Sequence, residues 1–377
     1  MNHILMRRLA ASSFLFLLIL FSSDLFAQAI QLPDGGVNLR SMAGRRVGVT
    51  DIEIRWNAPG VKGREGKIWG TPVAWYGYEV LGFGSSMASP WRAGANESTT
   101  ISFSTDVTIN GQKLAAGNYG FFIALYPDSC TLIFNRNTKG WGSYFYRSDL
   151  DVLKVKTVQL KDIKESKERL DYTFSKQTDK SVEVALEWEK WRIPFTVETD
   201  LLNTGLASIR SQLTGALGFD PPSLEAAAAW CLQNNVNYEE GLDWINRATD
   251  PNLGAVKSFR ALSTKAGLLS RLNKTSEADT IMKAALENAT VVEMHQYGRQ
   301  LLAQKKNAEA FAVFEKNFKK YKGAWPTNAG MMRGYSAMGN YKKALEHAKL
   351  AMAQAPDDVN KKFLEQAIKT LSEGKPL

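Results

Sequence analysis

Residues 334–345 read Gly-Tyr-Ser-Ala-Met-Gly-Asn-Tyr-Lys-Lys-Ala-Leu, and the small residues of this stretch belong to a pattern that recurs along the C-terminal half. The pattern returns about every 34 residues, in four sets: Gly241, Ile245 and Ala248; Ala278, Met282 and Ala285; Ala310, Phe314 and Asn317; Ala344, Ala348 and Ala351. A period of this length is typical of helical hairpins that stack on one another. The spacing therefore predicts paired helices that touch at small side chains.

The same stretch, 334–345, closely resembles the consensus of tetratricopeptide repeats. The resemblance implies an α-solenoid of about four hairpins over residues 223–377, with a closing helix from Asp357 to Leu371. The three earlier sets are more degenerate, so the prediction is of tetratricopeptide-like repeats. Stacked hairpins present extended surfaces, and we expect a protein or peptide partner on them.

Residues 28–198 show a period of two instead, which predicts β-strands. Val107 and Ile109 alternate with polar residues before Asn110-Gly111, a dipeptide that favours a tight hairpin turn. Further strands are expected where apolar residues alternate, as in 170–174, 182–188 and 193–197. Many short strands separated by turn residues predict an antiparallel β-sandwich-like domain.

The start of the chain has the pattern of a signal peptide. Arg7 and Arg8 precede an apolar run from Leu9 to Phe21, and Ala27 offers a small residue for cleavage. We therefore expect a soluble exported protein, periplasmic or extracellular, with residues 1–27 removed and no membrane span. Residues 199–222, with leucines at helical spacing, are predicted to form a connector between the two domains.

Composition excludes several classes of protein. The chain has 377 residues, of which 44% are hydrophobic and 23% charged, and this argues against disorder. Its net charge of +9, or +8 after cleavage, is spread along the sequence, so we expect no nucleic-acid partner. Cys130 and Cys231 are predicted to be buried thiols, with a disulfide as the alternative. Only His295 and His347 remain after cleavage, and we expect no cofactor and no metal.

Motifs for catalysis fail on inspection. Gly60–Lys67 has the wrong spacing for a phosphate-binding loop, and Ile68 stands where that loop needs Ser or Thr. Asp51 and Glu53, like Glu187 and Glu189, lie two apart on predicted strands. Such pairs arise on any solvated strand face, so they are weak candidates for glycosidase carboxylates.

Two polar, aromatic segments are the best candidates for a ligand site. The first is 91–100, and the second is 135–144. Aromatic faces stack on planar groups, while arginine, asparagine and glutamate supply directed hydrogen bonds. The predicted ligand-binding residues are Trp91, Arg92, Asn96, Glu97, Asn135 and Trp141. The alternative is structural, with an Arg92–Glu97 bridge tying the loops together and the tryptophans in the core.

A family resemblance rests on a series of short signatures in order: Val61–Arg64, Ile68–Gly70, Trp91–Glu97, Val107–Leu114, Ala116–Tyr119, Ile133–Asn135 and Trp141-Gly142. Together they resemble the exported bacterial family known as domain of unknown function 2911, over roughly residues 35–198. The family has Pro where this chain has Ala115, and a short link where this chain has the longer segment 71–90. The resemblance implies an exported β domain whose biochemical role is unassigned.

These observations predict an exported cell-envelope binding or scaffolding protein. The β domain is expected to bind a small polar or glycan ligand, and the helical repeats a protein partner. The rival hypothesis is an envelope hydrolase that acts on glycans through Glu97 or Asp51 as acid or base. A third possibility is a purely structural β domain, with all recognition in the repeats.

Overall fold

The computed structural model describes residues 37–253 and 257–377, so the predicted signal peptide lies outside the described residues. The chain divides into two compact units between Asp200 and Leu201. Within the described ranges, no helix is long and apolar enough to cross a membrane.

The first unit is built from antiparallel strands. Its strands are β1 Leu39–Val47, β2 Thr50–Ala58, β3 Glu79–Val80, β4 Ala88–Ser89, β5 Thr100–Phe103, β6 Val107–Ile109, β7 Gln112–Leu114, β8 Gly117–Leu125, β9 Cys130–Asn135, β10 Asp151–Thr157, β11 Lys167–Ser175, β12 Ser181–Glu189 and β13 Trp191–Thr199. One sheet has the order β1-β2-β5-β8-β9-β10, and a second has the order β11-β12-β13-β6-β7. Strands β3 and β4 pair separately as a short hairpin.

The core lies between the two large sheets. Along β13, for example, Ile193, Phe195 and Val197 point inward at alternate positions and are buried. Phe195 meets Phe121 of β8, in the opposite sheet, at a ring-centroid distance of 5.7 Å. Alternation along each strand therefore places one face of each sheet in a shared core. The antiparallel sandwich predicted from the period of two is confirmed.

The turn between β6 and β7 forms as the sequence predicts. Asn110 and Gly111 have φ of 45° and 81°, both in the left-handed region. Asparagine tolerates this region better than most residues, and glycine adopts it freely. The two strands consequently pair in register across the turn, with Ile109 opposite Gln112.

The second unit is helical. Its helices in the described residues are α1 Leu201–Gln212, α2 Pro221–Asn234, α3 Tyr238–Ala248, α4 Phe259–Arg271, α5 Thr275–Asn288, α6 Val291–Ala303, α7 Asn307–Tyr321, α8 Trp325–Ala337, α9 Tyr341–Ala353 and α10 Asp358–Ser372. Helix α1 ends at Gln212, so Leu213 and Leu217 do not extend it as the leucine spacing suggested. Gly215 and Gly218 follow, and Gly218 has no room for a side chain because Leu213 O would lie 2.1 Å from its Cβ.

Four antiparallel hairpins follow α1: α2 with α3, α4 with α5, α6 with α7, and α8 with α9. The small residues that define the repeat lie at the contacts, and Ala285, Ala310, Ala344 and Ala348 are all fully buried. Helix α10 packs on α9 and closes the series. The tetratricopeptide-like architecture and its register are therefore confirmed.

The first helices of neighbouring hairpins also contact one another directly, as α2 does with α4 and α6 with α8. The second helices lie against their own first helices, and α3 and α7 also contact the first helix of the next hairpin, α4 and α8 respectively. The helical unit therefore has one face made from the first helices, which we call the first-helix face.

Both cysteines are buried free thiols. Cys130 begins β9 and Cys231 lies on α2, in different units. Burial raises the pKa of Cys130 to about 12 and that of Cys231 to about 11. A thiol with so high a pKa is protonated at neutral pH, which makes both side chains poor nucleophiles.

Candidate functional site

The segment from Trp91 to Thr99 is a tight loop between the hairpin β3–β4 and strand β5. The N–H of Ile123 in β8 donates to the carbonyl of Trp91 at 2.9 Å, which anchors the start of the loop. Ala93 and Asn96 have positive φ, and Gly94 approaches Thr99 so closely that a Cβ would lie 2.6 Å from its hydroxyl. The small residues of this segment therefore allow the backbone to turn back on itself.

Glu97 is held by residues of β1 and β2, and not by Arg92. Arg40 Nη2 donates to Glu97 Oε1 at 2.9 Å, and Asn57 Nδ2 donates to Oε2 at 2.7 Å. The Arg92–Glu97 bridge of the structural alternative is thus replaced by an Arg40–Glu97 pair. Although partial burial opposes it, these bonds leave the pKa of Glu97 below its ordinary value.

Asparagine side chains extend this network toward the start of the described chain. Asn96 Nδ2 donates to Asn57 Oδ1 at 3.3 Å, and Asn38 Nδ2 donates to Asn96 Oδ1 at 3.1 Å. Three amides and one carboxylate therefore form a continuous chain of hydrogen bonds across the surface of the sheet.

Arg92 lies between the two predicted segments. Its Nη1 donates to the carbonyl of Asn96 at 2.8 Å, and its guanidinium lies 5.4 Å from the centre of the Tyr144 ring. Gly142 has a φ of 57°, which favours glycine, and a Cβ there would lie 2.2 Å from the guanidinium and displace it. Burial lowers the pKa of Arg92, and Tyr144 counters part of that effect.

The second predicted segment is tied to the first through Ser98. Its hydroxyl lies within hydrogen-bond distance of the carbonyls of Gly140 and Gly142, at 3.1 and 2.9 Å. Asn135 is fully buried, and its Nδ2 donates to the carbonyl of Arg147 and to Asp151 Oδ1. The structure therefore brings the two segments together, with Asn135 supporting the second loop from inside.

The six predicted site residues fall in five different environments, one of which is the buried position of Asn135 described above. Arg92 and Asn96 line a cleft of about 390 Å³, while Glu97 lines a separate cleft of about 270 Å³ beside β1 and β2. Trp91 is 1% exposed and stacks on Trp188 in the core, so its faces are not open to a ligand. Trp141 is 52% exposed and lines neither cleft.

Sequence reasoning missed several residues of the larger cleft, which are Asn38, Lys62, Arg64, Trp75 and Trp188. In the sequence, Lys62 and Arg64 belong to a family signature and to a stretch whose spacing does not fit a phosphate-binding loop. Trp75 comes from the long segment 71–90, whose fold no periodicity predicts. Only the three-dimensional arrangement shows that these residues share a cleft with Arg92.

Asp51 and Glu189, one from each carboxylate pair on the strands, accept hydrogen bonds from other groups of the protein. Asp51 receives two hydrogen bonds from Arg46, at 2.6 and 2.7 Å, which lower its pKa. Glu189 accepts the N–H of Gly66 at 2.7 Å and the indole N–H of Trp69 at 2.9 Å. A general acid needs a raised pKa, and both Asp51 and Glu97 have lowered ones.

A second group of polar side chains lies on the first-helix face. His295 and Arg299 come from α6, and Arg333 comes from α8. Burial and the two arginines lower the pKa of His295 to about 4, and burial with Arg299 nearby lowers that of Arg333 to about 10. His295 Nδ1 and Arg333 Nε are buried and have no hydrogen-bond partner in residues 37–253 and 257–377.

No carboxylate of the described ranges pairs with Arg299 or Arg333. The guanidinium of Arg333 lies instead 4.6 Å from the centre of the Phe363 ring of α10, which is 39% exposed. The first-helix face thus carries positive charge beside an accessible aromatic ring. Among the residues that the structure describes, no three His, Cys, Asp or Glu side chains are grouped to hold a metal ion.

The fold and the two polar groups define a β-sandwich unit with surface clefts, followed by tetratricopeptide-like helical repeats. Residues 39–197 match the model of a family described as "Protein of unknown function (DUF2911)", which confirms the resemblance read from the sequence signatures. No curated protein matches the chain.

Solved structures match the helical part of the chain. One is YrrB, described as a TPR protein with an unusual peptide-binding site; it is 18% identical, covers 44% of this chain and 84% of its own, and has a TM-score of 0.28. Another is MamA from Desulfovibrio magneticus RS-1, 16% identical over 41% of this chain and 91% of its own, with a TM-score of 0.27. At these TM-scores neither match carries an argument about function.

Proposed function

We propose that this chain is a binding or scaffolding protein of the cell envelope whose helical repeats hold a protein partner. The observation that carries the proposal is the group of His295, Arg299 and Arg333 on the first-helix face. Two arginines from neighbouring hairpins lie close together with no described carboxylate to neutralise them. Arg333 Nε is a buried donor with no described acceptor, which costs free energy, and a carboxylate of a partner that binds this guanidinium would supply an acceptor.

The chemistry of this face favours a peptide with carboxylate groups. Arginine binds carboxylates through two parallel hydrogen bonds, and the exposed ring of Phe363 beside Arg333 offers an apolar contact for a neighbouring side chain. We therefore expect the partner to contribute an acidic segment that lies across α6, α8 and α10. The repeats, and not the β unit, supply the main contacts with that partner.

The test uses a short fluorescent peptide rich in glutamate and a matched peptide in which glutamine replaces every glutamate. Fluorescence anisotropy with the full chain should show binding of the acidic peptide alone, weakened at least tenfold in the double variant Arg299→Gln and Arg333→Gln. Arg271→Gln, on α4, is the control because Arg271 is exposed and outside the group. Equal binding of both peptides, or no effect of the double variant, contradicts the proposal.

The β unit has a second role in the proposal, which is to hold a small polar ligand. Arg92 and Asn96 supply hydrogen-bonding groups to the larger cleft, and Glu97 to the smaller one. The hydrolase alternative is less favoured, because the lowered pKa of Glu97 and of Asp51 keeps both carboxylates ionised and unable to act as a general acid. Export and residence in the envelope remain part of the proposal and rest on the sequence pattern of residues 1–27.

A further inference from the structure

Among the described residues, the larger cleft of the β unit is lined by positively charged and hydrogen-bonding side chains, and by no carboxylate. Its volume is about 390 Å³, within the usual range for small-molecule sites. Its charged and polar lining residues are Asn38, Lys62, Arg64, Arg92 and Asn96, with Trp75 and Trp188 among the apolar ones. We call it the cationic cleft.

None of the three cations is neutralised by a described carboxylate. Arg64 donates from Nε to the carbonyl of Val61 at 3.0 Å and from Nη2 to that of Gly60 at 2.7 Å. Arg92 is bound to a carbonyl and lies over an aromatic ring, as described above. Glu168 lies near the rim, but its Oε1 accepts the backbone N–H of Lys62 at 3.2 Å and it does not line the cleft.

The backbone carbonyls around Arg64 and Arg92 orient their guanidinium groups without removing their charge. Both side chains are partly buried. A charge held at the edge of the protein interior acts more strongly on a ligand than a charge in bulk water, because it is less screened. Arg92 is also fixed between Gly142 and Tyr144, so little conformational entropy remains to be lost when a ligand binds.

Trp188 gives independent evidence that an acceptor is missing from the cationic cleft. This residue is 0% exposed and lines the cleft, yet its indole Nε1 has no hydrogen-bond partner among the residues that the structure describes. By contrast, the indole N–H groups of Trp56, Trp69 and Trp75 all donate to an oxygen of the protein. Buried donors in native proteins nearly always have an acceptor. The cleft is thus lined by three cations and by a residue whose buried N–H donor has no described acceptor.

We infer that the cationic cleft binds the oxyanion group, a carboxylate, phosphate or sulfate, of a small organic molecule. Arg92, Arg64 and Lys62 supply the charge, and the amides of Asn38 and Asn96 bind the polar remainder of the ligand. This inference rests on the proposed ligand-binding role of the β unit and adds the chemical class of the ligand. It also moves the site away from Glu97, which lines the other cleft and would repel an anion.

Calorimetric titration of the full chain tests the inference with four defined probes, namely phosphate, sulfate, glucuronate and glucose. We expect glucuronate to bind more tightly than glucose by at least tenfold, and its affinity to fall as salt is added. Phosphate and sulfate should compete with it, and their relative strengths identify the preferred oxyanion. Lys62→Gln and Arg64→Gln should each weaken glucuronate binding at least threefold.

Lys67→Gln is the matched control, because Lys67 is an exposed lysine of the same loop that does not line the cleft. Lys62 is itself exposed, so its variant should fold normally even if a substitution of Arg92 does not. If glucose binds as tightly as glucuronate, the cleft does not require an oxyanion and the inference is contradicted, whereas the proposed role of the β unit in binding a polar ligand is still supported. If no probe binds, or if Lys67→Gln weakens binding as much as Lys62→Gln, the inference is overturned. Peptide binding to the helical repeats is measured separately and is unaffected by either result.

Discussion

At the scale of single residues, many polar side chains form hydrogen bonds with backbone groups, but a few buried polar atoms have no described hydrogen-bond partner. Trp188 Nε1, His295 Nδ1 and Arg333 Nε are buried atoms without a partner in the described part of the chain, and each lies at one of the two groups described above. Asn317 Oδ1 is a further unmet atom, although its Nδ2 donates to the carbonyl of Val291 at 2.9 Å. Where such atoms lie beside positive charges that no described carboxylate neutralises, we expect a ligand that carries negative charge.

His295 should make the stability of the helical unit depend on pH. Its pKa is about 4 in the folded chain, against an ordinary value of 6.5. Between these two values the unfolded chain binds the proton and the folded chain does not, so stability falls as pH falls from 6.5 toward 4. Denaturant unfolding at pH 7 and pH 4.5 should show this loss, on the order of 2 kcal/mol from this residue.

The variant His295→Gln should show a smaller loss between the same two pH values. His347 also has a lowered pKa, mainly from burial, and will leave part of the effect in place. The difference between pH values is the measured quantity, so a general change in stability caused by the substitution does not affect the result. An unchanged pH dependence in the variant would mean that the pKa of His295 is the same in the folded and unfolded chains.

At the scale of elements, the helical hairpins depend on close approach at small residues. Phe314 of α7 is fully buried among three glycines of α6 and α8. A Cβ at Gly298 would lie 2.4 Å from its ring, one at Gly330 would lie 2.6 Å from it, and one at Gly334 3.2 Å. The large residue of one helix thus occupies space that the neighbouring helices leave open. The glycines thus make room for a phenylalanine at the position where the last repeat has Ala348.

Enlarging the small residues at hairpin contacts should destabilise the helical unit. Ala310 and Ala344 are fully buried at matched positions of α7 and α9. Ala310→Leu and Ala344→Leu should each cost about 1–3 kcal/mol, because added methyl groups have no space in a packed interface. Ala308→Leu makes the same change on an exposed position of α7 and should shift the unfolding midpoint very little. Equal effects at Ala308 and Ala310 would show that the repeat contacts are not tightly packed.

The elements that the sequence predicts well are those whose pattern is periodic. The hairpin at Asn110-Gly111 and the four helical hairpins follow from spacing and turn residues alone. Strands β1 and β10 were not predicted. Strand β1, Leu39–Val47, does not alternate apolar and polar residues, is mostly exposed, and is stabilised chiefly by pairing with β2. The clefts could not be predicted either, since Lys62, Arg92 and Trp188 come together through the packing of an irregular loop against a distant strand.

At the scale of the whole molecule, two units with separate cores predict two independent folding transitions. The hydrophobic core of the first unit contains no residue beyond Val197, and the cores of the second begin at Leu206. Domains with their own cores generally fold alone. We therefore expect fragments 28–200 and 201–377 each to unfold cooperatively, with β-rich and helix-rich circular dichroism spectra respectively.

The fragments also provide the sharpest comparison with the full chain. Thermal melting of each fragment should reproduce one of two transitions of the intact protein, within a few degrees. Ala310→Leu should shift only the transition of 201–377, since Ala310 does not belong to the hydrophobic core of the first unit. A single transition in the full chain that moves as a whole with Ala310→Leu would show that the two units fold as one. A fragment 28–200 that fails to unfold cooperatively would show that the sandwich needs the helical unit.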